Sequence, residues 1–172
     1  MALTQAELLQ YLATHNIEYQ LYEHEPLRTC EQAVVVVERM QIPGMGIKNL
    51  FLKDSKKRLY HIIASHTTRI DLKQTGKTLG AKELRFANSE LLMTHLGVEP
   101  GAVTPLALIN DAHNEVQAII DHTLLDHTHI QAHPLKNDAT VVIRLKDLQT
   151  FFETISKPYH IYNFADHSLQ TP

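Results

Sequence analysis

Apolar positions recur at helical spacing near the start of the chain and then switch to alternation. Leu8, Leu9 and Leu12 follow Thr4 and Glu7, which stand three apart as a capping box does, so a helix of about three turns is expected to end near His15 and Asn16. Residues 17–22, IEYQLY, alternate like a half-buried strand, and HEPLRT then turns into Thr29, an N-cap with Gln32 three residues later. A helix over 30–40 follows. Its AVVVVERM run is β-branched, which favours a strand, but the start signal at Thr29 and the stop at QIPG favour the helix.

Beyond the turn PGMG, the segments NLFLK and LYHIIAS flank DSKKR and read as a hairpin of two buried strands. Asp71 caps a short helix, LKQTGKTL, that Gly80 terminates; LRFA is a short strand; Ser89 starts a helix that Gly97 ends. VTPLALI, EVQAIID, HIQAH and TVVIRL are expected as four further strands, and KDLQTFFETI as a last amphipathic helix stopped by Pro158. Residues 159–172 show no clear period and are expected as a surface extension beyond a single domain over 1–158. Several strand pairs are joined by turns too short for a crossover. The expected fold is therefore a mixed α/β arrangement, with a curved, largely antiparallel or mixed sheet or barrel flanked by helices.

The 172-residue length suits one domain, and 44% hydrophobic with 20% charged residues is ordinary for a globular chain. No apolar run approaches the ~20 residues of a membrane helix, and the first ten residues lack a signal-peptide pattern, so a soluble, cytoplasmic protein without a membrane partner is expected. A single cysteine, Cys30, excludes an internal disulfide and a cysteine zinc site. The net charge of −3 argues against sequence-independent binding along a nucleic-acid backbone, while leaving room for a small contact with one nucleic-acid end.

No P-loop, dinucleotide fingerprint or G-x-S-x-G elbow occurs, and Cys30 reads as a small residue in a first helical turn rather than as a nucleophile. His122, His127, His129 and His133 lack a second pair at the spacing of a helical metal motif, so neither a metal nor another cofactor is expected. Three polar clusters remain, each at the end of an apolar strand: Lys48 and Asn49; the loop Gly101, Ala102, Val103, Thr104 and Pro105; and His133 with Asn137 and Thr140. Such strand ends line pockets in curved sheets.

The segments KNLFLKD (48–54), LGVEPGAVTPLALIND (96–111) and HPLKNDAT (133–140), with HEPLRTCEQA (24–33), resemble in order and spacing the YbaK-type aminoacyl-tRNA deacylases, free-standing relatives of the bacterial prolyl-tRNA synthetase editing domain. Within that family the chain is most similar to the ProX or PrdX type, whose substrate is alanine misattached to tRNA for proline. The resemblance implies an editing-domain fold and ester hydrolysis without a cofactor or a protein nucleophile. It implies tRNA for proline as partner, met at its aminoacyl end and acceptor stem, and prolyl-tRNA synthetase or an elongation factor as further candidates. Mapped onto this sequence, Lys48, Gly101 and His133 become the catalytic candidates, with Thr29, Asn49, Ala102, Val103, Thr104, Pro105 and Asn137 binding substrate. Lys48 and Asn49 would form one wall of the ester pocket. Gly46 and Ile47 stand where the family carries a polar pair, and Cys30 and Gln32 where valine and glutamate are common, which leaves serine, threonine, cysteine or 2-aminobutyrate open as the amino acid removed; a non-catalytic module that keeps the fold and binds tRNA or a synthetase is the alternative from another class.

Overall fold

Local signals set the helices. In the computed structural model, which describes residues 1–172, the Thr4 hydroxyl accepts from the Glu7 amide at 3.3 Å and the Glu7 carboxylate accepts from the Thr4 amide at 2.7 Å, closing the expected capping box of α1 (Gln5–Thr14). Leu8 and Leu12 lie fully buried beneath it. The strand β1 spans Gln20–Glu23. The valine-rich stretch is helix, α2 (Cys30–Met40), capped by Thr29 on the Gln32 amide at 3.1 Å and ended by Gln41 in a left-handed conformation. Val34 and Val35 remain 54% and 59% exposed, so the cap and the stop, rather than burial of these valines, decide the conformation.

The hairpin is present as β2 (Ile47–Lys53) and β3 (Leu59–Ser65). Its turn is built around buried Asp54, whose carboxylate accepts from the Lys56 and Arg58 amides, from Arg58 Nε at 2.7 Å and from the Tyr60 hydroxyl at 3.1 Å. Burial opposes the Asp54 charge, but these donors outweigh it and hold the carboxyl below its ordinary range. Then come α3 (Leu72–Leu79), β4 (Arg85–Phe86), α4 (Ser89–Leu96), β5 (Val116–Asp121), β6 (His129–Ala132), β7 (Ala139–Arg144), α5 (Leu145–Thr154), β8 (Tyr159–Asn163) and β9 (Ser168–Gln170).

Two sheets result, one ordered β4-β2-β3-β5-β8-β9 and the other β1-β7-β6. The pairs β3·β5 and β5·β8 are parallel and the remainder antiparallel, so the sheet is mixed as expected. The two sheets do not close into a barrel. A single bridge stitches them, with the Met45 amide donating to the His129 carbonyl at 2.9 Å and the Gln131 amide to the Met45 carbonyl at 3.0 Å. The principal core of 26 buried residues draws on both sheets, α1, α4 and α5, and a smaller cluster beside α3 covers the other face of the larger sheet. All seven residues of β3 are buried, as suits a strand covered on both faces.

Two expectations are corrected. VTPLALI forms a 3-10 turn over Pro105–Asn110, because the Thr104 hydroxyl accepts from the Leu106 amide at 3.3 Å, Pro105 supplies a fixed φ at the first position, and Leu106, Ala107 and Leu108 are buried consecutively rather than in alternation. The segment after Pro158 is not a loose surface extension. It supplies β8 and β9, with β8 parallel to β5 and Tyr162 fully buried.

An ion pair anchors the far end of the 3-10 turn. Lys157 Nζ lies 2.5 Å from Asp111 Oδ2 with both side chains buried, and Asp111 also accepts from the Glu115 and Val116 amides. Removing one member leaves a buried charge without its counterion, so Lys157→Met is expected to cost about 3–5 kcal/mol, read as a lowered urea midpoint.

Candidate active site

The loop between α4 and the 3-10 turn presents main chain. Gly97 closes α4 in a left-handed conformation, and Gly101 at φ +89° turns the chain again, a conformation that a side chain would strain. The side chains of Ala102, Thr104 and Pro105 are buried and Val103 packs against the principal core, so they hold the loop rather than face a ligand. The Ala102 amide donates to the Glu99 carbonyl at 3.0 Å, whereas the amides of Gly101, Val103 and Thr104 donate to no protein acceptor. Thr104 is fully buried, and a buried amide without a partner is rare in folded proteins. Amides in this state can receive a carbonyl oxygen or an oxyanion.

Gly101 is set against the 133–140 turn. A Cβ at Gly101 would lie 3.9 Å from both Asn137 Nδ2 and the Leu27 carbonyl oxygen. Asn137 Nδ2 in turn donates to that Leu27 carbonyl at 2.8 Å, while the Leu27 amide donates to the Asn137 carbonyl at 3.0 Å. His133 closes the same turn: its Nδ1 donates to the Ala139 carbonyl at 2.8 Å, since a carbonyl can only accept. The neutral ring therefore keeps its lone pair on Nε2, which has no protein partner. Burial pushes the His133 pKa down, the Ala139 carbonyl partly offsets this, and nearby His24 adds to the depression.

His24, which the sequence did not single out, packs its ring edge-on to that of His133 at 6.5 Å. Its Nδ1 donates to the Glu25 carbonyl at 2.8 Å, so its Nε2 accepts from the Thr140 hydroxyl at 2.9 Å. The clue was the histidine opening HEPLRT. Thr29 lies two residues beyond Leu27, but its hydroxyl is occupied as the cap of α2.

Lys48 and Asn49 do not form one wall, because neighbouring residues of a strand point to opposite faces. Asn49 shares a face with Ile47 and Phe51, which join the core cluster that contains Ala102, while Lys48 shares the other with Leu50 and Leu52, beside α3. The Lys48 ammonium donates to the Thr68 carbonyl, and the Thr68 hydroxyl donates to buried Asp121. No hydrogen bond joins Lys48 to the Gly101–Pro105 loop or to His133. Asn49 Oδ1 accepts from His61 Nε2 at 2.9 Å.

The histidine-rich segment is also divided. His127 and His129, with His66 and Arg144, line an open cleft of about 1140 Å³ between the 16–20 loop and the Pro43–Gly46 turn, apart from His133. The His95, Asp111 and Glu115 ligand atoms lie within 4.8 Å of one another, but the Asp111 oxygens already serve two amides and Lys157. No helix is long and apolar enough to cross a membrane.

Residues 24–151 match the model of the aminoacyl-tRNA editing domain. The chain belongs to the aminoacyl-tRNA editing domain family. The match begins at His24 and includes the Gly101–Pro105 loop and the His133–Thr140 turn. Relatives of this editing domain include the prolyl-tRNA synthetase associated domain-containing protein 1 of Danio rerio, 40% identical over 86% of this chain and 80% of that protein. The prolyl-tRNA editing protein ProX of Acetoanaerobium sticklandii is 35% identical over 77% of this chain and 80% of its own length. Among solved structures, "a putative trans-editing enzyme for prolyl tRNA synthetase" superimposes with a TM-score of 0.69 over the whole of both chains at 20% identity, a likeness of fold.

Fully buried His61 and partly buried His133, both held toward the neutral form, are expected to make the editing domain sensitive to acid. Burial, with Lys157 nearby, pushes His61 to about 3, and His133 is lowered in the same direction. Below the ordinary ~6.5 the unfolded chain binds a proton that folded His61 does not, so stability falls as pH falls, by up to ~1.4 kcal/mol per pH unit for that ring, and His133 acts in the same direction. Urea midpoints at pH 7 and pH 5 should show this decline, and His61→Gln should reduce its slope.

Proposed function

We propose that this editing domain hydrolyses the ester joining a misattached amino acid, alanine foremost, to tRNA for proline. The observation that carries the reading is the Gly101–Pro105 loop, whose Gly101, Val103 and Thr104 amides have no protein acceptor, with Thr104 buried. Family membership and the names of the relatives in Danio rerio and Acetoanaerobium sticklandii support it.

In this reading the ester carbonyl oxygen accepts from the loop amides, which stabilise the negative charge that develops as water attacks. His133 Nε2, a lone-pair acceptor at neutral pH, takes a hydrogen bond from the attacking water or from the substrate ammonium. Water adds to the carbonyl carbon, the bond to the terminal ribose oxygen breaks, and that oxygen leaves with a proton, releasing free amino acid and tRNA. Asn137 holds the turn against Leu27, and Thr29 fixes the helix that follows. We assign Lys48, on the other strand face, to the charge of the terminal nucleotide. Binding separates small side chains by only ~1–3 kcal/mol per methylene, which makes a second pocket that admits alanine and refuses proline chemically useful. A chain of net charge −3 suits a small footprint at the aminoacyl end.

A change of amino acid within the same reaction is the second reading, motivated by Gly46 and Ile47. Gly46 spends its carbonyl on His66, which donates through its amide and Nδ1, each at 3.0 Å. The test is a panel of tRNAs carrying alanine, proline, serine, threonine, cysteine or 2-aminobutyrate. Alanyl-tRNA for proline should be cleaved and prolyl-tRNA spared; cleavage of a different member identifies the alternative, and no cleavage at micromolar protein contradicts the proposal. Gly101→Ala, strained at positive φ, should lower kcat by about 10²-fold with little change in KM if the loop amides act in the transition state.

A further inference from the structure

His61 is a polar side chain in the middle of a strand whose neighbours Ile62, Ile63 and Ala64 are aliphatic or small and fully buried. It is itself fully buried, and its ring makes one hydrogen bond: Nε2 donates to Asn49 Oδ1 at 2.9 Å, while Nδ1 has no partner. A buried polar atom left unpaired costs about 1–3 kcal/mol, so an aliphatic residue would stabilise this position better. Burial and Lys157 keep the ring neutral, leaving one proton, and the Asn49 oxygen holds that proton on Nε2.

The consequence falls on Asn49. With Oδ1 turned to His61, the carboxamide presents its two Nδ2 donors away from the ring, and no protein acceptor takes them. Asn49 is only partly buried and lies on the face whose core cluster includes Ala102 and receives Val103. A flipped carboxamide would present a carbonyl there instead and repel an approaching oxygen.

We propose that His61 is a positioning residue that locks the Asn49 carboxamide with its amino group toward the substrate, where it donates to an oxygen of the terminal ribose or of the ester. This inference rests on the deacylase reading and adds to it a residue that never touches substrate. It is tested by single-turnover hydrolysis of alanyl-tRNA for proline with Asn49→Ala, His61→Leu, the double variant and His61→Gln. Asn49→Ala and His61→Leu should each lower the rate about tenfold or more. The double variant should be no slower than Asn49→Ala, because His61 acts only through Asn49. His61→Gln, which keeps a side-chain N–H donor, should recover most of the rate. Losses that multiply in the double variant, or a His61→Leu protein as fast as wild type, would overturn the inference alone. Wild type that cleaves no ester would overturn the functional reading and this inference with it. Should His61→Leu fail to fold, 15N NMR of the wild-type ring decides: an Nε2–H tautomer is expected, and an Nδ1–H tautomer contradicts the lock.

Discussion

The paired hydrogen bonds between Leu27 and Asn137 hold together everything at the candidate site. They join positions separated by 110 residues, one bond through the main chain and one through the Asn137 carboxamide, and Gly101 packs against the same two groups. Once Leu27 is bracketed, the turn that carries His133, the loop with the unpartnered amides and the start of α2 share one location. The Asn137 amino group donates within this junction, so the proposed chemistry rests on main-chain donors and on a histidine whose Nδ1 is held by the Ala139 carbonyl.

The proposed hydrolysis does not require a nucleophilic side chain. Ester hydrolysis can be driven by stabilising the developing oxyanion and orienting water, provided the donors are already aligned and cost no reorganisation. Here the alignment comes from buried structure on both sides of the loop. The side chains of Ala102, Thr104 and Pro105 anchor it from within, and the Asp111–Lys157 pair fixes the turn that follows. Cys30, exposed in the first turn of α2, contributes nothing to this arrangement.

Features encoded within a few residues were legible in the sequence. The caps at Thr4, Thr29 and Asp71 and the left-handed glycines at Gly80 and Gly97 are local, and each stands where its spacing predicts. The three polar clusters were also legible as strand ends and loops. What the sequence hid was long-range. The contact of His24 with Thr140 crosses 116 positions, and the place of β8 depends on parallel pairing with β5 rather than on any pattern in YHIYN. Pro105 to Asn110 looked extended because an apolar run has no period of its own when Pro105 to Leu108 are buried one after another. Lys48 and Asn49 looked like partners because adjacency in sequence hides the alternation of a strand.

The most direct measurement follows the loop amides themselves. Adding a non-hydrolysable 3′-amide analogue of alanyl-adenosine to 15N-labelled protein should move the Gly101, Val103 and Thr104 amide resonances downfield and slow their exchange with solvent, as expected when they donate to a carbonyl oxygen. An analogue that binds while those three amides stay unchanged, with shifts confined to the His66, His127 and His129 cleft, would contradict the assignment of the ester site.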